Sequence, residues 1–139
     1  MSSTFPISNG MNYLGIDYGS KRVGLAVSDP SGSLAFPLTV LENSNNLINE
    51  ISKICQEKMI KTIVVGESKD YSLNENKIME EIKPFVRKLQ DETKLPVCMH
   101  PEFMTSVEAD RLQGRNEMRD ASAAALILKS YLDTIRNNS

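Results

Sequence analysis

Two short apolar runs near the N-terminus, Asn12 to Tyr18 (NYLGIDY) and Val23 to Asp29 (VGLAVSD), are joined only by Gly19-Ser20-Lys21-Arg22. No other feature restricts the fold of this chain as strongly. So short a link cannot carry the crossover that parallel strands need, and it predicts an antiparallel hairpin. A third strand is expected at Leu38 to Glu42, after Pro37. Leu47, Ile48, Ile51, Ile54 and Cys55 then recur at helical spacing, with Ser44 or Asn45 as the cap. Thr62 to Gly66 (TIVVG) is β-branched and uncharged, as a strand covered on both faces should be. Ile78, Ile82, Phe85, Val86 and Leu89 form a second helical stripe, in which Pro84 predicts a kink or a break. Pro96 to His100 (PVCMH) reads as a further strand. A short helix capped at Thr105, with Glu108 behind it, and a final helix from Asp120 to about Arg136 complete the pattern. The order βββαβαβαα implies an α/β fold, a hairpin sheet extended by parallel strands and covered by helices.

The chain of 139 residues is one domain's worth. Met1 to Gly10 is polar and patternless and reads as a loose leader, with a single domain over residues 11–136. A domain of this length buries roughly two-thirds of its unfolded surface, so it needs no metal or disulfide staple. Cys55 and Cys98 lie in apolar surroundings, with no CxxC and no histidine cluster. They read as buried thiols in a reducing cytoplasm rather than as zinc ligands. No apolar run approaches the ~18 residues of a membrane span, and no signal-peptide pattern opens the chain. Sixteen Lys and Arg against eighteen Asp and Glu give a net charge of −2. That balance excludes the strongly basic proteins that coat DNA without regard to sequence, but not an enzyme with a local basic patch.

The acids carry the chemical signal. Asp17 stands near the end of a strand that otherwise reads as buried, where a carboxylate is costly unless it meets a cation or opens onto a cleft. Its bland reading is a turn aspartate capping the Gly19-Ser20 bend. Asp120 heads the last helix on the face of Ala124, Ile127, Leu128, Tyr131 and Ile135, with an ordinary N-cap as the alternative. Glu67 follows the Val64-Val65-Gly66 strand directly, and Glu102 comes two residues after His100; ordinary loop solvation is the alternative for each. Carboxylates at the ends of successive elements, without a histidine cluster, match the oxygen-only preference of Mg²⁺ or Mn²⁺. Sites of that kind hydrolyse phosphodiesters with two ions ~3.5–4 Å apart.

The run Gly15-Ile16-Asp17-Tyr18-Gly19-Ser20-Lys21-Arg22-Val23-Gly24-Leu25-Ala26-Val27-Ser28-Asp29 closely resembles the opening G-x-D-x-G-[ST]-K-R-x-G-x-A-x-[ST]-D of the YqgF/RuvX family. That family comprises ribonuclease H-like Holliday junction resolvases, also assigned to maturation of small-subunit ribosomal RNA. The resemblance extends from Met11 to Asp133 and includes the Val64-Val65-Gly66 strand and Asp120 with Ala123-Ala124 behind it. It implies a ribonuclease H-like fold, a five-stranded mixed sheet in the order βββαβαβα flanked by helices. It also implies that Asp17 and Asp120 are catalytic and metal-binding. Where the family reads D-E-R-L-[ST]-T, this chain has Pro101-Glu102-Phe103-Met104-Thr105-Ser106, which keeps Glu102 in register but replaces its acidic and arginine neighbours. The usual G-L-P-x-x-x-D-G is replaced by Gly66-Glu67-Ser68-Lys69-Asp70-Tyr71, so Glu67 stands where wider resolvase relatives carry an acid. The expected site is Asp17, Glu102 and Asp120 as metal ligands, with Glu67 as a fourth acid or a substitute.

Lys21 and Arg22 flank Asp17, and Arg111, Arg115 and Arg119 lead to Asp120. Solvated surface is the bland reading; a rim that grips phosphates without reading sequence is the functional one. Tyr71 and Phe103 could stack on bases, though packing is the commoner role, and His100 reads as structural. The leading expectation is a metal-dependent endonuclease acting on branched DNA or precursor ribosomal RNA, as a monomer or homodimer. One alternative is a non-catalytic nucleic-acid-binding module on the same fold. Another is a nucleotide-binding module, since Asp17-Tyr18-Gly19-Ser20 also resembles the first phosphate loop of actin-like kinases, which need two such domains.

Overall fold

The hairpin forms as its short link requires. In the computed structural model β1 (Tyr13–Tyr18) pairs antiparallel with β2 (Arg22–Ser28), setting Asp17 opposite Gly24 and Gly15 opposite Ala26. The structure describes residues 12–19, 21–69, 75–103 and 118–137, and side chains within 12–19, 21–66, 80–100 and 121–135. The third strand β3 (Ala35–Glu42) begins three residues before its expected start and continues the antiparallel ladder, with an irregularity between Leu25 and Ala26 of β2. Helix α1 (Leu47–Glu57) then leads to β4 (Thr62–Lys69), which pairs parallel with β1, and helix α2 (Glu75–Thr93) leads to β5 (Val97–Phe103), parallel to β4. Helix α3 (Met118–Asn137) follows. The sheet order is β3-β2-β1-β4-β5, a five-stranded mixed sheet, as the sequence reading implies.

The pleat divides the apolar residues into two layers. Leu14, Ile16, Val23, Leu25, Ile63 and Val65 face α1 and α2, where Leu47, Ile51, Cys55, Ile82, Phe85 and Leu89 meet them. Ala26 and Val64 face α3 with Ala124, Ile127, Leu128 and Leu132. Each fully buried Leu or Ile contributes on the order of 1.5–3 kcal/mol relative to exposure, so both layers are substantial. Helix α3 lies close on its layer because two strand positions lack side chains. A Cβ at Gly15 would stand 2.8 Å from Leu128 Cβ and 3.0 Å from the Ala124 carbonyl oxygen. A Cβ at Gly66 would run into the Ile127 side chain.

Several expectations are corrected. Pro84 does not break α2, which runs continuously through it; the buried stripe of Ile82, Phe85 and Leu89 holds the helix against a local penalty of about 3 kcal/mol. Helix α1 is entered through Asn46 rather than Ser44 or Asn45, with no side-chain cap bond, while Ser44 Oγ accepts the Asn46 N–H at 3.2 Å. Helix α3 begins at Met118, two residues ahead of the expected start, so Asp120 sits within its first turn rather than as its cap. Cys55 is buried as expected, but Cys98 is only half-buried on edge strand β5. The leader, the turn residue Ser20, Tyr71 and the helix expected at Thr105 lie outside the described residues. Among the described residues no helix is long and apolar enough to cross a membrane.

Candidate active site

Strands β1, β4 and β5 run parallel, so their carboxyl ends share one edge of the sheet. Asp17 lies at that edge on β1. By alternation it belongs to the face of Tyr13 and Gly15, the face that α3 covers. Leu14 and Ile16 on the opposite parity are fully buried, whereas Asp17 is half-buried. Its partner across β2 is Gly24, which has no side chain, and Gly66 follows directly on Val65, the partner of Ile16 on β4.

The same alternation places the other acids by position. On β5, Cys98 and His100 lie toward α3: Tyr131 Oη donates to Cys98 Sγ at 3.8 Å, and His100 Nε2 stands 2.9 Å from Ser130 Oγ. Val97 and Met99 pack into the opposite layer. Glu102 therefore has the parity of the α3 face, in register with Ser68 of β4. Glu67 has the parity of Ile63 and Val65 and is in register with Pro101, which assigns its position to the α1–α2 face. Helix α3 runs antiparallel to β1. Tyr131 stacks at a tilt on Tyr13, with centroids 5.8 Å apart, while Leu128 and Ala124 lie over Gly15. Its first turn, with Arg119 and Asp120, thus heads toward the Asp17 end of the strand. Positions 17, 102 and 120 share a face and an edge, and position 67 shares only the edge. Among the described residues no three of His, Cys, Asp and Glu stand together as metal ligands; the side chains of Glu67, Glu102 and Asp120 lie outside that set.

The rest of the opening motif is largely structural. A Cβ at Gly19 would stand 2.6 Å from the Arg22 carbonyl oxygen, so the turn between β1 and β2 needs glycine there. Ser28 Oγ accepts the Tyr13 N–H at 2.9 Å and donates to the Asp29 carbonyl at 3.0 Å. Asp29 ties the turn into β3, accepting from Ser31 Oγ at 2.6 Å and from the N–H groups of Ser33 and Leu34 at 2.9 and 3.0 Å. Those bonds, the Leu34 N–H and the Ser31 hydroxyl foremost, hold its carboxyl below the usual aspartate value. Lys21, in the turn between β1 and β2, and Arg22, the first residue of β2, are exposed. Arg111 and Arg115 lie outside the described residues, as do the side chains of Arg119 and Phe103. His100 is engaged by Ser130 and lies edge-on to Tyr131 at 5.8 Å, an anchor between β5 and α3.

The RuvX family, described as Holliday junction resolvase, matches residues 11–134. The chain belongs to the RuvX family. Its relatives include a "Putative pre-16S rRNA nuclease" of Nitratidesulfovibrio vulgaris, 34% identical over 125 residues, 88% of this chain and 84% of the relative. A protein of the same name from Thermoanaerobacter pseudethanolicus is 33% identical over 138 residues, covering 91% and 99% of the two chains. The solved structure of Thermus thermophilus RuvC in complex with a Holliday junction substrate superposes with a TM-score of 0.63 at 18% identity, over 91% of this chain and 96% of that one. That likeness shows the ribonuclease H-like fold. By family, this RuvX protein is an enzyme of the nuclease class.

Proposed function

We propose that this RuvX-family protein is a divalent-metal-dependent endonuclease, with Asp17, Glu102 and Asp120 as its metal ligands. The observation that carries the reading is the shared parity of positions 17 and 102, at the sheet edge toward which the first turn of α3 is directed. The donor set fits the proposed ion. Every candidate ligand is a carboxylate, as Mg²⁺ or Mn²⁺ prefers, and the chain's one histidine is engaged with Ser130. Such ions, when bound as a pair, activate water and stabilise the leaving oxygen of a phosphodiester.

The chain's own residues supply positioning. Asp17 projects from a strand whose neighbours Leu14 and Ile16 are fully buried, so its backbone is held by the core. Lys21, Arg22, Arg111, Arg115 and Arg119 would contact backbone phosphates on either side of the acids and orient the strand without reading bases. Glu67 is the secondary acid in this scheme, because its register position has the other parity.

The proposed substrate is precursor 16S rRNA near its 5′ end, a reading supported by the names of relatives that align over most of this chain. The family's description favours a second substrate, the Holliday junction. Cytoplasmic action follows from either, and the proposed working unit is the single domain 11–136, alone or as a homodimer. The test is cleavage of a four-way junction panel and a ribosomal precursor with Mg²⁺ or Mn²⁺, alongside Asp17→Asn and Glu102→Gln. Metal-dependent products with wild type, absent in both variants, are expected. Binding without cleavage by wild type would favour a non-catalytic binding module. Unimpaired cleavage by Glu102→Gln with loss in Glu67→Gln would reverse the ranking of the two glutamates.

A further inference from the structure

Tyr18 follows Asp17 directly, and the pleat sends it to the other face of the sheet, into the layer of α1 and α2. There it lines a groove of about 360 Å³ together with Asn43 and Asn45 of the β3–α1 connection and Glu81, Pro84 and Lys88 of α2. That volume is within the range of small-ligand sites, about 300–1,000 Å³. We propose that this groove binds one unpaired nucleotide of the substrate strand, on the sheet face opposite the acids. The proposal rests on the nucleic-acid reading of the previous section and adds a subsite to it.

The walls are built rather than accidental. The Tyr18 ring packs on Phe85 with centroids 4.7 Å apart, and its hydroxyl donates to Glu81 Oε1 at 3.4 Å. Asn43 Nδ2 donates to the Gly19 carbonyl at 2.8 Å, and the Asn43 N–H donates to the Lys21 carbonyl at 2.9 Å. The groove wall and the basic turn beside Asp17 are thereby one unit. Glu81, Pro84 and Lys88 are all exposed and lie along one strip of α2, while Ile82, Phe85 and Leu89 bury the strip beside it. Pro84 has no N–H, so one i→i−4 bond of α2 is not made, and its ring forms part of the groove wall.

The chemistry selects the ligand. The groove combines an aromatic surface, amide and ammonium donors, and an acceptor in the Glu81 carboxylate. A nucleobase matches this with a π-face and with donors and acceptors along one edge. In a duplex those edges are already paired and the faces stacked, so the ligand is an unpaired nucleotide. Asp17 and Tyr18 are neighbours in the chain, so a strand passing over the sheet edge would meet the acids on one side and the groove on the other.

The test is binding of fluorescein-labelled single-stranded RNA and DNA ten-mers to the full chain in EDTA, read by anisotropy, so that cleavage and metal play no part. Tyr18→Ala should weaken binding by about tenfold and Tyr18→Phe should largely preserve it. Lys88→Glu, an exposed substitution that leaves the core intact, should weaken it as well. A ten-mer that is abasic at every position should lose the difference between wild type and Tyr18→Ala. The RNA and DNA arms decide which sugar the groove accepts. Wild-type affinity in both Tyr18→Ala and Lys88→Glu would overturn the proposal, as would an equal Tyr18→Ala effect on the abasic oligomer. Cleavage by Asp17→Asn, measured separately, tests the acids. The groove can fail while the acids stand, and the acids can fail while the groove stands.

Discussion

Replacing Gly15 by alanine would put a Cβ 2.8 Å from Leu128 Cβ and 3.0 Å from the Ala124 carbonyl oxygen. Neither obstacle can rotate away, because one is the first atom of its side chain and the other is helix backbone. Either α3 must lift or β1 must bow. Overpacking of this kind costs about 1–3 kcal/mol, and the entropy lost by the unfolded chain on Gly→Ala returns about 0.4–1 kcal/mol. The net expectation is a loss of about 1–2 kcal/mol, a fall in Tm of roughly 3–8 °C. At Gly66 the obstacle is the Ile127 side chain, whose Cγ1 is 3.0 Å away and whose far end can turn aside. Gly66→Ala should therefore cost less, and Ile127→Val should relieve part of it. Urea unfolding with an unchanged m-value measures both losses. Because Asp120 is carried by the helix that Gly15→Ala displaces, cleavage by that variant should fall further than its folded fraction. A Gly15→Ala protein as stable as wild type, or one costing less than Gly66→Ala, would refute the claim that α3 is seated on a side-chain-free strip.

Three further outcomes are expected. Burial pushes the Cys55 thiol up to about 11 from the ordinary 9.0, so the folded state keeps a proton that the unfolded state loses. Stability from this group is complete below pH 9 and falls as pH rises toward 11, and Cys55→Val should flatten that part of a pH–stability curve measured by urea unfolding. Pro84→Ala should restore the missing helical bond to Glu80 and raise stability by about 1–3 kcal/mol, read as a higher urea midpoint; a lower midpoint would mean that the proline shapes α2. Raising salt should weaken nucleic-acid binding steeply, and Arg22→Ala should reduce the log–log slope by about 1. A flat salt response in wild type would remove the phosphate rim.

Much of the fold was legible because its signals are local. The four-residue link forces a hairpin, TIVVG marks a doubly covered strand, and helical spacing marks α1 and α2. Element ends were less legible. Helix α3 starts at Met118, two residues ahead of Asp120, the residue whose type suggested a cap, and α2 survives Pro84 because buried Ile82, Phe85 and Leu89 hold it in place. Among the proposed site residues, Asp17 is singled out in the sequence by the cost of a carboxylate in an apolar strand. The groove lined by Tyr18 is not, since Tyr18, Asn43 and Lys88 come together only through packing. Asp29, the last residue of the motif, opens the turn-forming run Asp29-Pro30-Ser31-Gly32, and its carboxylate closes that turn into β3.

The sequence by itself determined the order of elements, the family and a short set of acids, because periodicity and motif are properties of neighbouring residues. The tertiary structure decided how those acids are sorted. Glu67 and Glu102 both stand just past an apolar run and look alike along the chain; the structure extends β4 and β5 through them, and parallel pairing with a fixed register gives their positions opposite parity, only 102 sharing that of Asp17. A strand's face is meaningful only relative to its neighbours and to the helix laid across them. That relation belongs to the folded sheet, and a linear pattern does not contain it.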